Sequence, residues 1–195
     1  MKLSAMFEKL ENSSEFKKFK KENPKAYFCA AFFVFDYENK EEKAQLDYCI
    51  SEDDIETFVI ADKILKQKAQ MAKPEKLKEI KKDEINIDLD ECLEIVKKEA
   101  ENQKFIASKL IVILQRLKDS ETLIWNITGF SGFNILRMHL DMSGKLILNE
   151  RKSMLEMMKI EKGKKGEVSA PDKTPESDST GQKSEHKDCD TNYIG

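Results

Sequence analysis

Residues 27–35 read Tyr-Phe-Cys-Ala-Ala-Phe-Phe-Val-Phe, an apolar run without a charge. A run this short cannot cross a bilayer as a helix, which takes roughly 20 apolar residues. Its aromatic and β-branched content favours an extended strand, and the near absence of polar alternation reads as a central, well-buried one. The polar stretch Asp36 to Glu42 and the segment Ala44 to Ile50 then complete an antiparallel hairpin with a long loop.

The flanks of this hairpin supply a helix and a third strand. Ser13 and Ser14 can cap a short amphipathic helix carrying Phe16 and Phe19 and ending before Pro24. Ser51 and Asp54 fit a capping box, but Ile55, Thr57, Phe58, Val59 and Ile60 outweigh it, so a strand is expected over Ile55 to Ala61. From residue 62 to 84 the chain is mostly Lys, Glu and Gln around Pro74, the composition of a charged helical linker.

Beyond the linker the order repeats. Asp88 or Asp90 can cap a helix in which Leu89, Leu93, Val96 and Ala100 share a face. Leu110 to Leu117, Leu123 to Thr128 and Phe133 to Leu140 read as strands, with a break at Gly129-Phe130-Ser131-Gly132. The turn Asp141-Met142-Ser143-Gly144 leads into Leu146 to Leu148. Alternation along Leu123, Trp125 and Ile127 places Trp125 in the core.

The expected fold class is therefore α+β, a helix packed on an antiparallel meander, arranged as two tandem diverged units. Residues 1–61 form the first unit, 62–84 the linker and 85–160 the second unit, closed by a helix bearing Met154, Leu155, Met157, Met158 and Ile160. Residues 161–195 are rich in Gly, Pro, Ser, Thr and charge, which points to a disordered tail.

Charge excludes little but weights the alternatives. Lys and Arg number 34 against 37 Asp and Glu, and only Arg116, Arg137 and Arg151 offer the planar guanidinium suited to phosphate. Cys29, Cys49, Cys92 and Cys189 include no CxxC pair, so neither a zinc site nor a redox motif is indicated, and no cofactor is expected. The first ten residues are interrupted by charge before a secretory segment develops, so a cytoplasmic location and no membrane association are expected.

Candidate chemistry is sparse. His139 lies between Met138 and Leu140 in a strand, and His186 falls in the tail, so no histidine pair can hold a metal. The acidic stretches Asp47 to Asp54 and Asp83 to Glu91 lack the ligand alternation of a calcium loop. Lys76, Lys78, Lys81 and Lys82 are the candidate phosphate contacts of an RNA-associated protein, diluted by Glu75, Glu79, Asp83 and Glu84. Met154, Met157 and Met158 form a candidate partner surface, since methionine packs adaptably.

The stretch from Asp90 to Leu148 runs from a helix into strands. It ends Ile135-Leu136-Arg137-Met138-His139-Leu140-Asp141-Met142-Ser143-Gly144-Lys145-Leu146-Ile147. It resembles a PepSY-type module, whose last hairpin often carries an alternating strand, Asp, a small residue, Gly and a hydrophobic strand. That resemblance implies a non-enzymatic role in protein binding, inhibition or regulation. The leading expectation is thus a small binding or regulatory module that engages another protein, followed by an RNA-associated protein and then by an enzyme of unknown class.

Overall fold

The computed structural model describes residues 2–52, 54–68, 77–117 and 120–153. Leu3, Met6, Phe7 and Leu10 recur at three- and four-residue spacing and form the buried side of helix α1, Leu3–Asn12. Ser13 ends that helix and begins the next: its N–H donates to Leu10, and its hydroxyl oxygen accepts from the Phe16 N–H at 3.2 Å. Helix α2, Ser14–Glu22, is the one expected from the sequence, whereas α1 was not expected. The charges that interrupt the N-terminus, Glu8 and Lys9, lie on the exposed side of α1.

The aromatic run becomes β1, Tyr27–Asp36, which pairs with β2, Glu41–Cys49, as expected, but the long loop is corrected: Asp36 pairs with Glu41, and only residues 37–40 connect the strands. A bulge between Phe28 and Ala30 shifts the register of this pair. Strand β3, Ile55–Ile60, follows β2 antiparallel, so the strand reading of this stretch holds over the helical one. The helical linker expected next is corrected: Ile64–Lys68 form strand β4, paired from Ile60↔Ile64 to Glu56↔Lys68. Unpaired backbone groups on the free edge of β3 recruit this segment, and Lys66 and Lys68 on it discourage further edge pairing. Pro74 and the rest of residues 69–76 lie outside the described residues. A single 3₁₀ turn, Lys82–Glu84, precedes the second half.

Helix α3, Leu89–Asn102, starts at Asp88 with a capping box completed by Glu91 and buries Leu89, Cys92 and Val96. Strands β5 (Lys109–Arg116), β6 (Leu123–Ser131), β7 (Asn134–Asp141) and β8 (Leu146–Ser153) form a meander. The break expected at Gly129 is corrected, because β6 runs through it and turns only at Gly132, whose φ is +54°. Gly129 pairs with Leu110 and Leu136, and a Cβ there would stand 3.0 Å from Phe105 Cε1, so the strand tolerates glycine to admit that ring. Strand β8 also extends past Leu148 to Ser153. The expected closing helix over Met154 to Ile160 and the tail lie outside the described residues.

All eight strands make one antiparallel sheet in the order β4-β3-β2-β1-β5-β6-β7-β8. Strand β1 is central, as its composition indicated, and pairs with β5 from Ala31↔Leu114 to Asp36↔Lys109. The α+β class is therefore observed, and residues of both halves contribute to one hydrophobic core. Phe16, Phe19, Tyr48 and Phe58 stack edge-on under α2, while Phe33 meets Trp125 at a centroid distance of 6.1 Å. Trp125 is fully buried, and its indole N–H donates to the Ile87 carbonyl at 2.9 Å.

Candidate functional site

Strand pleating divides the sheet's side chains between two faces. Ala31, Phe33 and Phe35 of β1, Val112 and Leu114 of β5, and Trp125 and Ile127 of β6 point toward the helices and are buried. Phe32, Val34, Ile111, Ile113 and Phe130 point the other way and are only partly buried, and none of them belongs to the core. Register brings them side by side: Phe32 faces Ile113, Val34 faces Ile111, and Phe130 lies one strand further on opposite Lys109. Strand β1, expected to be well buried, is fully buried only on its helix side. Its open side carries aromatic and β-branched residues with no helix over them among the described residues.

Polar side chains border this apolar centre. Gln45 pairs with Phe32 from β2, while Asn126 and Thr128 on β6 pair with Ile113 and Ile111. Arg137 and His139 on β7 follow at the next strand. His139 Nε2 is buried without a hydrogen-bond partner, and burial together with the neighbouring Arg137 lowers the imidazole's affinity for a proton. His139 thus sits on the open face opposite Asn126. At the other end of that face Leu77 packs on Tyr27, Cys29, Cys49 and Ile55, and the Tyr27 hydroxyl donates to the Leu77 carbonyl at 2.8 Å. Cys29, Cys49 and Cys92 are free and buried.

The face also holds a buried carboxylate. Asp47 is 8% exposed and accepts a hydrogen bond from the Thr57 hydroxyl at 2.7 Å. Burial pushes its carboxyl above the usual range, against the opposing pull of its hydrogen bonds to Thr57 and Gln45.

A second feature lies on the helix side. Leu93, Val96 and Ala100 of α3, Phe105 after it, and Leu110, Leu136 and Met138 of the sheet line an apolar cleft of about 520 Å³. Its mouth is flanked by Ile106, 85% exposed, and Tyr37, 54% exposed, with Lys97 and Glu101 on the rim. Neither the sheet face nor the cleft was identified from sequence. The available signal was the lack of alternation in β5, where Ile111 and Ile113 on the open face are as apolar as Leu110, Val112 and Leu114 on the helix side.

The residues singled out from sequence fall elsewhere. Lys78 is ion-paired with Glu121; Lys82 is paired with Glu11 and lies 4.8 Å from the Phe7 ring centroid. The Lys81 N–H donates to the Glu84 carboxylate at 2.9 Å. Lys76, Met154, Met157 and Met158 lie outside the described residues. Among the described residues no cluster of three or more His, Cys, Asp or Glu could hold a metal, and no helix is long and apolar enough to cross a membrane.

No protein-family model matches the chain, and no curated protein is similar to it in sequence. Among solved structures, it is similar to a protein of Clostridium difficile 630 designated a candidate lipoprotein. The identity is 13% over 71% of this chain and 90% of that one, with a TM-score of 0.46.

Proposed function

We propose that the protein is a non-enzymatic binding module that engages another protein through the open face of its sheet. The observation that carries this reading is the group of Phe32, Val34, Ile111, Ile113 and Phe130, partly exposed on the side away from the helices. An apolar centre ringed by amides and hydroxyls is the composition of a protein interface, where aromatic residues are enriched and charge is pushed to the rim. Eight strands at roughly 4.8 Å spacing and about 26 Å of strand length give a face of roughly 900 Å². A standard interface buries about 800 Å² per partner.

The two halves support the same reading. Each runs from helix to four-stranded meander, and the strand order is mirrored about the β1–β5 seam. We read them as diverged copies joined edge to edge, so that two modest sheets make one broad platform with its apolar centre at the seam. The resemblance of residues 90–148 to PepSY-type modules points the same way.

A photo-crosslinking amino acid at Gln45 or Thr128, with Lys98 on α3 as control, tests the face in cells of the source organism. The expected result is one protein joined from both face positions and not from Lys98, lost when Ile111 and Ile113 are changed to Lys with the far-UV spectrum intact. Adducts containing only a second copy of this chain would assign the face to self-association instead. Equal labelling from Lys98 would remove the reading altogether.

A further inference from the structure

We infer that the cleft between α3 and the sheet binds a single-chain amphiphile with an anionic head, the chemistry of a medium-chain fatty acid. The site is separate from the open sheet face and on the opposite side of the sheet. Three observations lead to it. The first is size and lining: about 520 Å³ bounded by Leu93, Val96, Ala100, Phe105, Leu136 and Met138 fits one small ligand's apolar body, within the range of about 300–1,000 Å³ usual for such sites.

The second is the mouth. Ile106 and Tyr37 are the exposed apolar residues there, at 85% and 54%, and both line the cleft. Large apolar groups held in water beside an apolar hollow gain from any chain that passes between them, because the ligand removes both surfaces from water. The third is charge. Lys97 is the cation on the lining and makes no ion pair among the described residues, whereas Lys109, at the start of β5, is held by Asp36 at 2.9 Å. Lys97 is therefore the group available to an anionic head, and its long stem can lie over the apolar rim while the ammonium stays in water. Glu101, one turn further along α3, opposes an anion at the same rim, so the head must sit on the Lys97 side.

Calorimetric titration of the full chain with dodecanoate is the direct experiment. A small ligand in a preformed apolar site should bind with a Kd on the order of 10 μM. Ala100→Leu fills the cleft from a position where leucine suits the helix, and should weaken binding at least about tenfold with the far-UV spectrum intact. Lys97→Glu changes an exposed side chain, and an intact far-UV spectrum separates its effect from unfolding. It should weaken dodecanoate several-fold and leave dodecanol unaffected, and Glu101→Gln should strengthen dodecanoate. No saturable heat up to about 1 mM, weaker than almost any specific ligand, would overturn the inference, as would unchanged affinity in Ala100→Leu. Equal loss of dodecanol and dodecanoate in Lys97→Glu would overturn the head-group assignment. Failure of these tests leaves the sheet-face reading untouched, because none of the variants lies on that face.

Discussion

At the scale of single residues, Asp88 links the two ends of the chain's helical layer. Its carboxylate accepts from the Leu89 N–H at 2.6 Å at the start of α3. It also accepts from the Leu3 N–H at 2.6 Å and the Ser4 hydroxyl at 2.7 Å at the start of α1. Burial alone would raise its pKa, but hydrogen bonds from Ser4, Leu3 and Leu89 outweigh that and hold it below the ordinary value. One carboxylate therefore caps two helix N-termini. With each cap worth about 1 kcal/mol, Asp88→Ala should cost about 2 kcal/mol in urea denaturation. Because the folded-state pKa is depressed, this contribution is complete above the unfolded value near about 3.9 and disappears as pH falls through the folded one. The variant and the parent should accordingly converge in stability at strongly acid pH. Asp47 has the opposite sign: burial raises its folded pKa, so the parent loses stability as pH climbs from about 4 through that raised value. Asp47→Asn keeps an acceptor for the Thr57 hydroxyl without the charge. It should match or exceed the parent at pH 7, by on the order of 1 kcal/mol, with the advantage vanishing near pH 4 in the same denaturation series. Of these roles, the cap on α3 was legible, since it needs only Asp88 and its sequence neighbours. The cap on α1 was not, because Leu3 and Ser4 lie 85 and 84 residues away.

At the scale of elements, legibility followed the strength of local pattern. The aromatic β1, the capped α3 and the alternation around Trp125 all state their structure within a few residues, and each is present where expected. Segment Ile64–Lys68 does not. Its own composition is that of a solvated helix, and it becomes a strand because β3 offers an edge, a tertiary cause outside the segment. Helix α1 was not legible for a different reason: its apolar stripe of Leu3, Met6, Phe7 and Leu10 follows Lys2, is interleaved with Glu8 and Lys9, and lies on a helix of only ten residues. That stripe is structural. Phe7 meets Phe28 edge-on at 4.9 Å, and Leu10 is fully buried. Leu10→Ala should cost about 2–5 kcal/mol, the range for a core leucine, whereas Glu8→Ala on the exposed side should stay within about 0.5 kcal/mol. Equal, small effects at both positions would show that α1 is dispensable. The open sheet face was illegible for a more general reason: alternation tells which residues share a face, but not whether another layer covers it.

At the scale of the whole molecule, the sheet order decides how the halves behave together. Strands β1 and β5 are the first strands of their respective meanders, and they are hydrogen-bonded neighbours at the centre of the sheet. Neither half can open without exposing the long central strand of the other, and Phe33 packs directly on Trp125 across that seam. One continuous core should therefore unfold in one step, despite a sequence that reads as two units. Trp125 is the chain's single tryptophan and reports the second half. A fluorine-labelled phenylalanine at Phe58, deep under α2 on the far side of β1, reports the first. In urea the two signals should share a midpoint and a slope, with m of about 1–3 kcal/mol/M, as expected for a small cooperative domain. Phe33→Ala should move both midpoints equally, by the cost of about 3–5 kcal/mol usual for truncating a core aromatic. Separate midpoints would mean that the halves are independent modules. The seam between Phe32 and Ile113 would then be a joint rather than the fixed centre of a platform, and a partner would meet two surfaces instead of one.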